Sequence, residues 1–215
     1  MTSEVAGSAV VASGPPSEAT LMRVEPIVLE SDRVRLEPMR RDHLDALVEA
    51  GRYDELWRWT SAKATTRDAM SAYMDDALTA AEAGSALAFV TMDKGSESVV
   101  GSTRFGNIDR ANRRVEIGWT WISPRFQRTY VNSDAKYLML RHAFDVWGCV
   151  RVELKTDVLN EKSRAAMLRL GAVEEGILRR HMLTYSGRFR DSIYYSILDH
   201  EWPAVRASLE ARGSR

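Results

Sequence analysis

The segment from residue 113 to residue 157 constrains the fold more than any other. "RRVEIGWTWIS" (113–123) alternates Val115, Ile117, Trp119 and Trp121 against Glu116, Gly118, Thr120 and Ile122, the period of a strand. Residues 133–147 then carry Tyr137, Leu140, Phe144 and Trp147 at helical spacing, and Gly148 supplies a stop. "VRVELKTDV" alternates again, with Val150, Val152, Leu154 and Thr156 set against Arg151, Glu153, Lys155 and Asp157. A strand, a crossover helix and a second strand form a right-handed unit whose two strands lie parallel.

The rest of the chain is added around that unit. "RVRLEPM" (33–39) alternates like a strand, and "RRDHLDALVEAG" follows as a short amphipathic helix with Asp42 as N-cap and Gly51 as stop. Residues 65–84 form a second helix, with Met70, Tyr73, Met74, Ala77, Leu78 and Ala81 on one stripe and Gly84 at its end. "ALAFVTM" (86–92) and "SVVGSTRFGNI" (98–108) read as a hairpin about "DKGSE". After the crossover, "NEKSRAAMLRLG" (160–171) is a helix capped by Asn160 and closed by Gly171, and residues 176–199 form a long hairpin turning near Ser186 and Gly187. The expected class is α/β in its α+β form, a mixed sheet covered by helices rather than a doubly wound parallel one. Residues 1–25 read as a disordered extension, 26–200 as one domain and 201–215 as a closing helix or tail.

Charge and cysteine content narrow the function classes. Thirty basic residues balance thirty acidic ones, which argues against a dedicated nucleic-acid binder. Cys149 is the only cysteine, so an intrachain disulfide is excluded, and a reducing, cytoplasmic setting is expected. Between Gly148 and Val150 it reads as a small buried hydrophobe. His43, His142 and His200 are scattered with no metal-ligand spacing, so no metal site is expected. No secretory leader is read in the first residues, and no apolar run is long enough to span a bilayer, so no membrane partner is expected.

The chemistry concentrates at the entry to the crossover helix, "SPRFQRTYVNSDAKYLMLRHAFD" (123–145). A helix N-terminus leaves about four N–H groups unpaired and carries roughly half a positive charge. A loop that wraps tightly before it converges those donors on an anion. Gln127, Arg128 and Thr129 add side-chain donors, Arg125 and Arg128 add charge, and Pro124 bends the strand end. The alternative at this point is an ordinary turn with solvated arginines.

Three motifs in this order resemble the GNAT superfamily of acyl-CoA-dependent N-acyltransferases, closest to the branch of ribosomal-protein N-terminal acetyltransferases. They are "EIGWTWISPRFQRTYVN" (116–132), "NEKSRAAMLRLGAVEEG" (160–176) and the closing "RDSIYYSIL", within a resemblance covering about residues 27–199. The loop departs from the family pattern by carrying Tyr130 and Asn132 where glycine and glycine or alanine are usual. The resemblance implies a mostly antiparallel sheet of about seven strands with a parallel splayed pair, flanked by about four helices. It implies acetyl-CoA as co-substrate, an amine of a small molecule or peptide as acceptor, and a homodimer. Trp121, Ile122 and Ser123 would line the pantetheine, and Gln127, Arg128, Thr129, Tyr130, Val131 and Asn132 would hold the pyrophosphate. Asn160 would hydrogen-bond the pantetheine, and Ser163 would approach the thioester sulfur as acid.

For the base, Glu116 and His181 are the candidates; a carboxylate is a weak base near neutrality, whereas imidazole titrates there. Trp57 and Trp59, between the first two helices, and Tyr194 on the last strand would line the acceptor site. Two other readings stay open: a different acyl donor on the same fold, and a non-catalytic CoA- or ligand-binding module with a degenerate phosphate loop.

Overall fold

A computed structural model describes residues 22–213. The expected disorder of residues 1–25 falls mostly outside those residues, but its last four positions are ordered. Met22 is buried beside Cys149, its carbonyl accepts from Arg110, and the Arg23 carbonyl accepts from the Trp147 indole. The apolar Met22 side chain holds this segment to the core.

Eight strands form one sheet: β1 (Leu29–Glu30), β2 (Val34–Pro38), β3 (Leu87–Asp93), β4 (Ser98–Asp109), β5 (Arg114–Ile122), β6 (Arg151–Asp157), β7 (Val173–Leu183) and β8 (Phe189–Leu198). Five α-helices cover it: α1 (Leu44–Gly51), α2 (Arg67–Glu82), α3 (Tyr130–Arg141), α4 (Glu161–Leu170) and α5 (Trp202–Ala211). The strand order is β1-β2-β3-β4-β5-β6-β8-β7, and every neighbouring pair is antiparallel except β5 and β6. The class is the expected one, with one strand and one helix more than the sequence suggested. The further helix is α5, which falls in the closing segment 201–215 read as a helix or tail, and it buries Trp202, Val205 and Leu209.

The parallel pair is short. Arg114, Val115 and Glu116 lie opposite Arg151, Val152 and Glu153, and pairing stops there. Beyond that point β5 stays on β4 and β6 stays on β8, so the sheet opens between the two strands toward their C-terminal ends. Both α3 and α4 start at those ends. The core is divided by the sheet: Val115, Ile117, Val131, Leu138 and Leu140 pack on one face with α3 and α5, and Leu47, Trp57, Met70, Tyr73 and Trp121 pack on the other with α1 and α2.

Local details correct the sequence reading. Asp42 is not the cap of the first helix; a 3₁₀ turn, Arg41–His43, leads into α1, and the Arg40 amide donates to the His43 ring. Gly51 is inside α1 rather than beyond it. A Cβ there would sit 3.2 Å from the Trp121 ring, so the glycine serves close packing. The crossover helix starts at Tyr130, earlier than residue 133, because Thr129 caps it, and past Arg141 it widens into a π turn, His142–Val146.

The regular alternation expected in β5 is broken. Residue 118 faces Arg104 and residue 121 faces Ser102, so β5 spends one residue more than β4 over the same span. Trp119 sits at this bulge with φ +50°. Past it the faces exchange, so Trp121 joins the α1–α2 side and Ile122 the α3 side.

Candidate active site

The N-terminus of α3 stands at the open end of the β5–β6 gap. Arg128 adopts a left-handed backbone, φ +60°, which turns the chain sharply into the helix. Thr129 is the cap: its hydroxyl accepts from the Val131 amide at 3.3 Å and donates to the Phe126 carbonyl at 2.7 Å. The N–H groups of Tyr130 and Asn132 belong to the first turn, where no intrahelical acceptor exists. Gln127 reaches back instead of outward, donating Nε2 to the Ile122 carbonyl at 2.9 Å and pinning the loop to the strand end. Ser123 fixes the other side of the bend, its amide on the Val100 carbonyl at 2.7 Å.

Two residues that would crowd an anion are drawn away from the gap. The Tyr130 hydroxyl bonds to Asp93 at the end of β3, and the Arg33 guanidinium lies 4.6 Å over its ring. Asp134 is fully buried and grips Arg33 through both oxygens, at 2.9 and 2.8 Å. Both partners lie on the β2–β3 side of the sheet, away from β6. Val131 buries its side chain completely and offers only backbone.

Across the gap, Asn160 caps α4 by accepting from the Ser163 amide at 3.2 Å. Its Oδ1 is therefore engaged, and Nδ2 is the end left to meet a ligand. The half-buried Ser163 hydroxyl has no hydrogen-bond partner among the described residues.

At the throat, the last paired residue of β5 is Glu116, 3% exposed. Asn107 and Lys155 each donate to its Oε2 at 2.7 Å. Oε1 leans over Gly118, where a Cβ would stand 2.8 Å from it. Lys155 also lies 5.6 Å over the Tyr194 ring, and Tyr194 meets the His181 ring edge-on at 5.7 Å. His181 Nδ1 is 3.0 Å from the Ser192 hydroxyl. Its pKa lies below the ordinary imidazole value, first through desolvation and then through Lys155 and Arg190, with Glu116 opposing. Glu116, Tyr194 and His181 are thus joined through Lys155, which the sequence reading passed over as one polar position in an alternating strand.

Trp57 does not line a pocket. It is 1% exposed, its ring contacts Tyr73 and Trp121 at 5.6 and 5.3 Å, and its Nε1 donates to the Gly51 carbonyl. A flat apolar ring with its one donor satisfied is a core residue. Trp59 is half-buried, its carbonyl accepts from Arg190 at 3.0 Å, and Arg58 and Arg188 lie over its ring. The loop holding both tryptophans therefore bridges the gap on the face opposite α3, from Trp121 on β5 to Arg190 on β8. Tyr195, the neighbour of Tyr194 on β8, is fully buried, with its hydroxyl on Glu174 at 3.2 Å.

Sequence reading also missed Lys136. Its Nζ is buried and donates to Thr120 at 2.6 Å and Thr103 at 3.4 Å. Burial pulls its pKa down to about 7, against a weaker pull upward from Glu116. The signal was present: Lys136 stands on the same helical stripe as Leu140 and Ala143, where an exposed lysine does not belong. Among the described residues no group of three His, Cys, Asp or Glu side chains could hold a metal ion, and no helix is long and apolar enough to cross a membrane.

Comparison with known proteins identifies the family. The chain is 37% identical over 105 residues to the Bacillus subtilis (strain 168) protein YdaF, whose name provisionally describes a ribosomal N-acetyltransferase. That match takes in 49% of this chain and 56% of the relative, so the chain spans little more than half that protein's length. A crystal structure of a GCN5-related N-acetyltransferase from Brucella melitensis superposes with TM-score 0.81 at 33% identity, over 87% of this chain and 85% of the other. Mycobacterium smegmatis RimJ, solved in complex with CoA-disulfide, shares the fold with TM-score 0.77 at 23% identity, over 89% and 97% of the two chains. The model of the acetyltransferase (GNAT) domain matches residues 33–173, and the chain belongs to that family.

Proposed function

We propose that this protein is an acetyl-CoA-dependent N-acetyltransferase that acylates a primary amine of a small molecule or a protein N-terminus by direct attack on the thioester. One observation carries the reading. The sheet parts between β5 and β6, and the gap ends at a helix start where the Tyr130 and Asn132 amides are open while the Tyr130 hydroxyl and Asp134 are tied to the opposite side. That arrangement suits a diphosphate followed by an extended amide-bearing arm.

The residues present fit such a ligand. The backbone of Trp121, Ile122 and Ser123 would flank the pantetheine, the amides of Arg128, Thr129, Tyr130 and Asn132 would hold the diphosphate, and Asn160 Nδ2 would meet the arm from the other side. When bound, acetyl-CoA supplies an acyl carbon activated as a thioester. The remaining work falls to side chains of this chain. Glu116 Oε1, without a donor among the described residues, can accept a proton from the incoming ammonium or from a water. His181, whose pKa is lowered first by desolvation, is the second acceptor. Ser163, whose hydroxyl is free to donate, would protonate the departing thiolate. Trp59 and Tyr194 would border the acceptor.

YdaF's name and the RimJ structure with CoA-disulfide support a peptide N-terminus among the acceptors and CoA as the carrier. The single buried cysteine supports a cytoplasmic setting, and the exposed apolar residues of the edge strand β7, Val173, Ile177 and Leu178, support a homodimer. The test is thermal-shift titration with acetyl-CoA, followed by free-thiol release with a panel of amines. A shift with amine-dependent release is the expected result. A shift without release marks a binding module, release with a different acyl-CoA alone marks another donor, and no shift with any acyl-CoA sinks the reading.

A further inference from the structure

The face of the sheet opposite α3 holds a buried arginine with part of its hydrogen-bonding edge unused. Arg104, on β4, is 2% exposed. Its Nη1 reaches Asp76 at 3.2 Å, and Asp76 is a solvent-facing carboxylate. Its Nε and Nη2 have no partner among the described residues. These two nitrogens form one edge of the guanidinium, which matches a carboxylate with two parallel hydrogen bonds. The same chain shows what that edge takes: Arg33 uses Nε and Nη2 to hold Asp134.

Two further polar groups without partners share this face. Ser102 lies two residues along β4 and so points the same way, and Trp121 is its cross-strand partner on β5. The Ser102 hydroxyl and the Trp121 Nε1 are both buried without a hydrogen bond among the described residues. Guanidinium and indole only donate, and the hydroxyl can donate as well, so the set calls for oxygen acceptors.

Two rings cover Arg104, and only one of them is exposed. The guanidinium lies between Tyr73, at 5.1 Å, and Trp119, at 4.9 Å. Trp119 is 39% exposed, stands on the bulge with a left-handed φ, and seats its ring on Gly106, where a Cβ would come within 2.3 Å of a ring carbon. An exposed aromatic on a strained backbone is the part of this wall that can turn aside. Its movement would open Arg104 to the gap beside Gly118, next to Glu116.

We propose that Arg104 anchors the acyl acceptor, and that the acceptor is an amine bearing a carboxylate, taken by the Nε–Nη2 edge once Trp119 swings off it. The inference rests on the acyltransfer reading and names the substrate class for the same site. An aminocarboxylic acid and a peptide with an acidic residue beside its N-terminus carry the same group.

The test compares matched acceptors on the unaltered protein by thiol release from acetyl-CoA. The pairs are 4-aminobutyrate with butylamine, 6-aminohexanoate with hexylamine, and the amidated peptides Ala-Asp-Ala-Ala and Ala-Asn-Ala-Ala. At least one carboxylate-bearing member should exceed its neutral partner about tenfold or more in kcat/KM, since a site built to hydrogen-bond a group discriminates against its absence. The pair showing the preference distinguishes a free acid from a peptide. Arg104→Lys keeps the charge and loses the fork; it should erase the preference and leave the KM for acetyl-CoA unchanged. Equal kcat/KM within every pair, with acetyl-CoA turned over, overturns this proposal and leaves the transferase standing. Calorimetric titration of the same acceptors separates the two claims the other way. Arg104-dependent binding of a carboxylate acceptor without any turnover upholds the anchor and removes the reaction.

Discussion

Lys136 shows how far one side chain can be taken on physical grounds. A lysine amine ordinarily loses its proton near pH 10.4. Enclosed by Thr103, Thr120 and the body of α3, it loses it at about 7. Below pH 7 the folded and unfolded chains both carry the proton, and the cost of the buried charge is present in full. Between 7 and 10.4 the unfolded chain holds more protons, so stability rises with pH through that window. Lys136→Met removes the titration. The stability difference between wild type and variant, from urea unfolding at pH 6.5, 8 and 9.5, should change in favour of wild type by up to about 1.4 kcal/mol per pH unit. A pH-independent difference would mean that the amine is hydrated. Ser163 makes a second case. Its amide is capped by Asn160 but its hydroxyl is not used, so Ser163→Ala should lower kcat more than acetyl-CoA affinity, read from steady-state kinetics beside calorimetry. Equal loss in both would make the serine structural. These two residues were unequally legible. Ser163 was found through a motif, whereas Lys136 needed a stripe of buried neighbours to be recognised as enclosed.

At the scale of elements, periodicity placed the strands and helices because each buries one face, and that demand is written residue by residue. It failed where the demand is made by another element. The β5 bulge is set by the close approach of β4, where a Cβ on Gly101 would lie 2.2 Å from the Trp121 carbonyl. No local signal marks that approach, so the two tryptophans were assigned to the wrong side of the strand. Trp57 read as a pocket residue for the same reason: its partners, Tyr73 and Trp121, are distant in sequence. The sharp entry into α3 was legible in the sequence, but the way Tyr130 and Asp134 are drawn out of it was not, since the answer lies with Arg33 and Asp93. Two variants separate the roles in this loop. Gln127→Ala frees the loop from the Ile122 carbonyl and should weaken acetyl-CoA binding, by calorimetry, without unfolding the protein. An unchanged Kd would take the glutamine out of the site. Asp134→Ala leaves Arg33 able to turn to solvent and should lower stability by about 1–3 kcal/mol in urea unfolding. Its acetyl-CoA affinity should hold or rise, since a negative charge leaves the first turns of α3; a marked loss of affinity would show that the Arg33–Asp134 pair shapes the loop.

The molecule as a whole is a sheet with two cores, and its proposed ligands divide the same way. The phosphate loop belongs to α3, whose buried face is continuous with α5, while the acceptor loop and Arg104 belong to the face under α1 and α2. At the β5–β6 gap both reach the same strand edge, so the stability of the α3 side bears directly on the site. The sequence signal for α5 was weak because only three of its residues face inward. Yet it closes the larger core: Trp202 stacks on Phe144 at 5.4 Å and donates Nε1 to Asp145 at 2.7 Å, and Glu210 accepts from the Tyr137 hydroxyl at 2.6 Å. Two of these three partners lie on the π turn that continues α3 and the third on α3 itself. Trp202→Ala should therefore cost about 3–5 kcal/mol, read from denaturant unfolding followed by near-UV and far-UV dichroism together. Coincident transitions shifted to lower denaturant would show α5 folding as one unit with the sheet. A loss below about 1 kcal/mol, or an early transition confined to the near-UV signal, would show instead that α5 is an appendage and that α3 is held by the sheet alone.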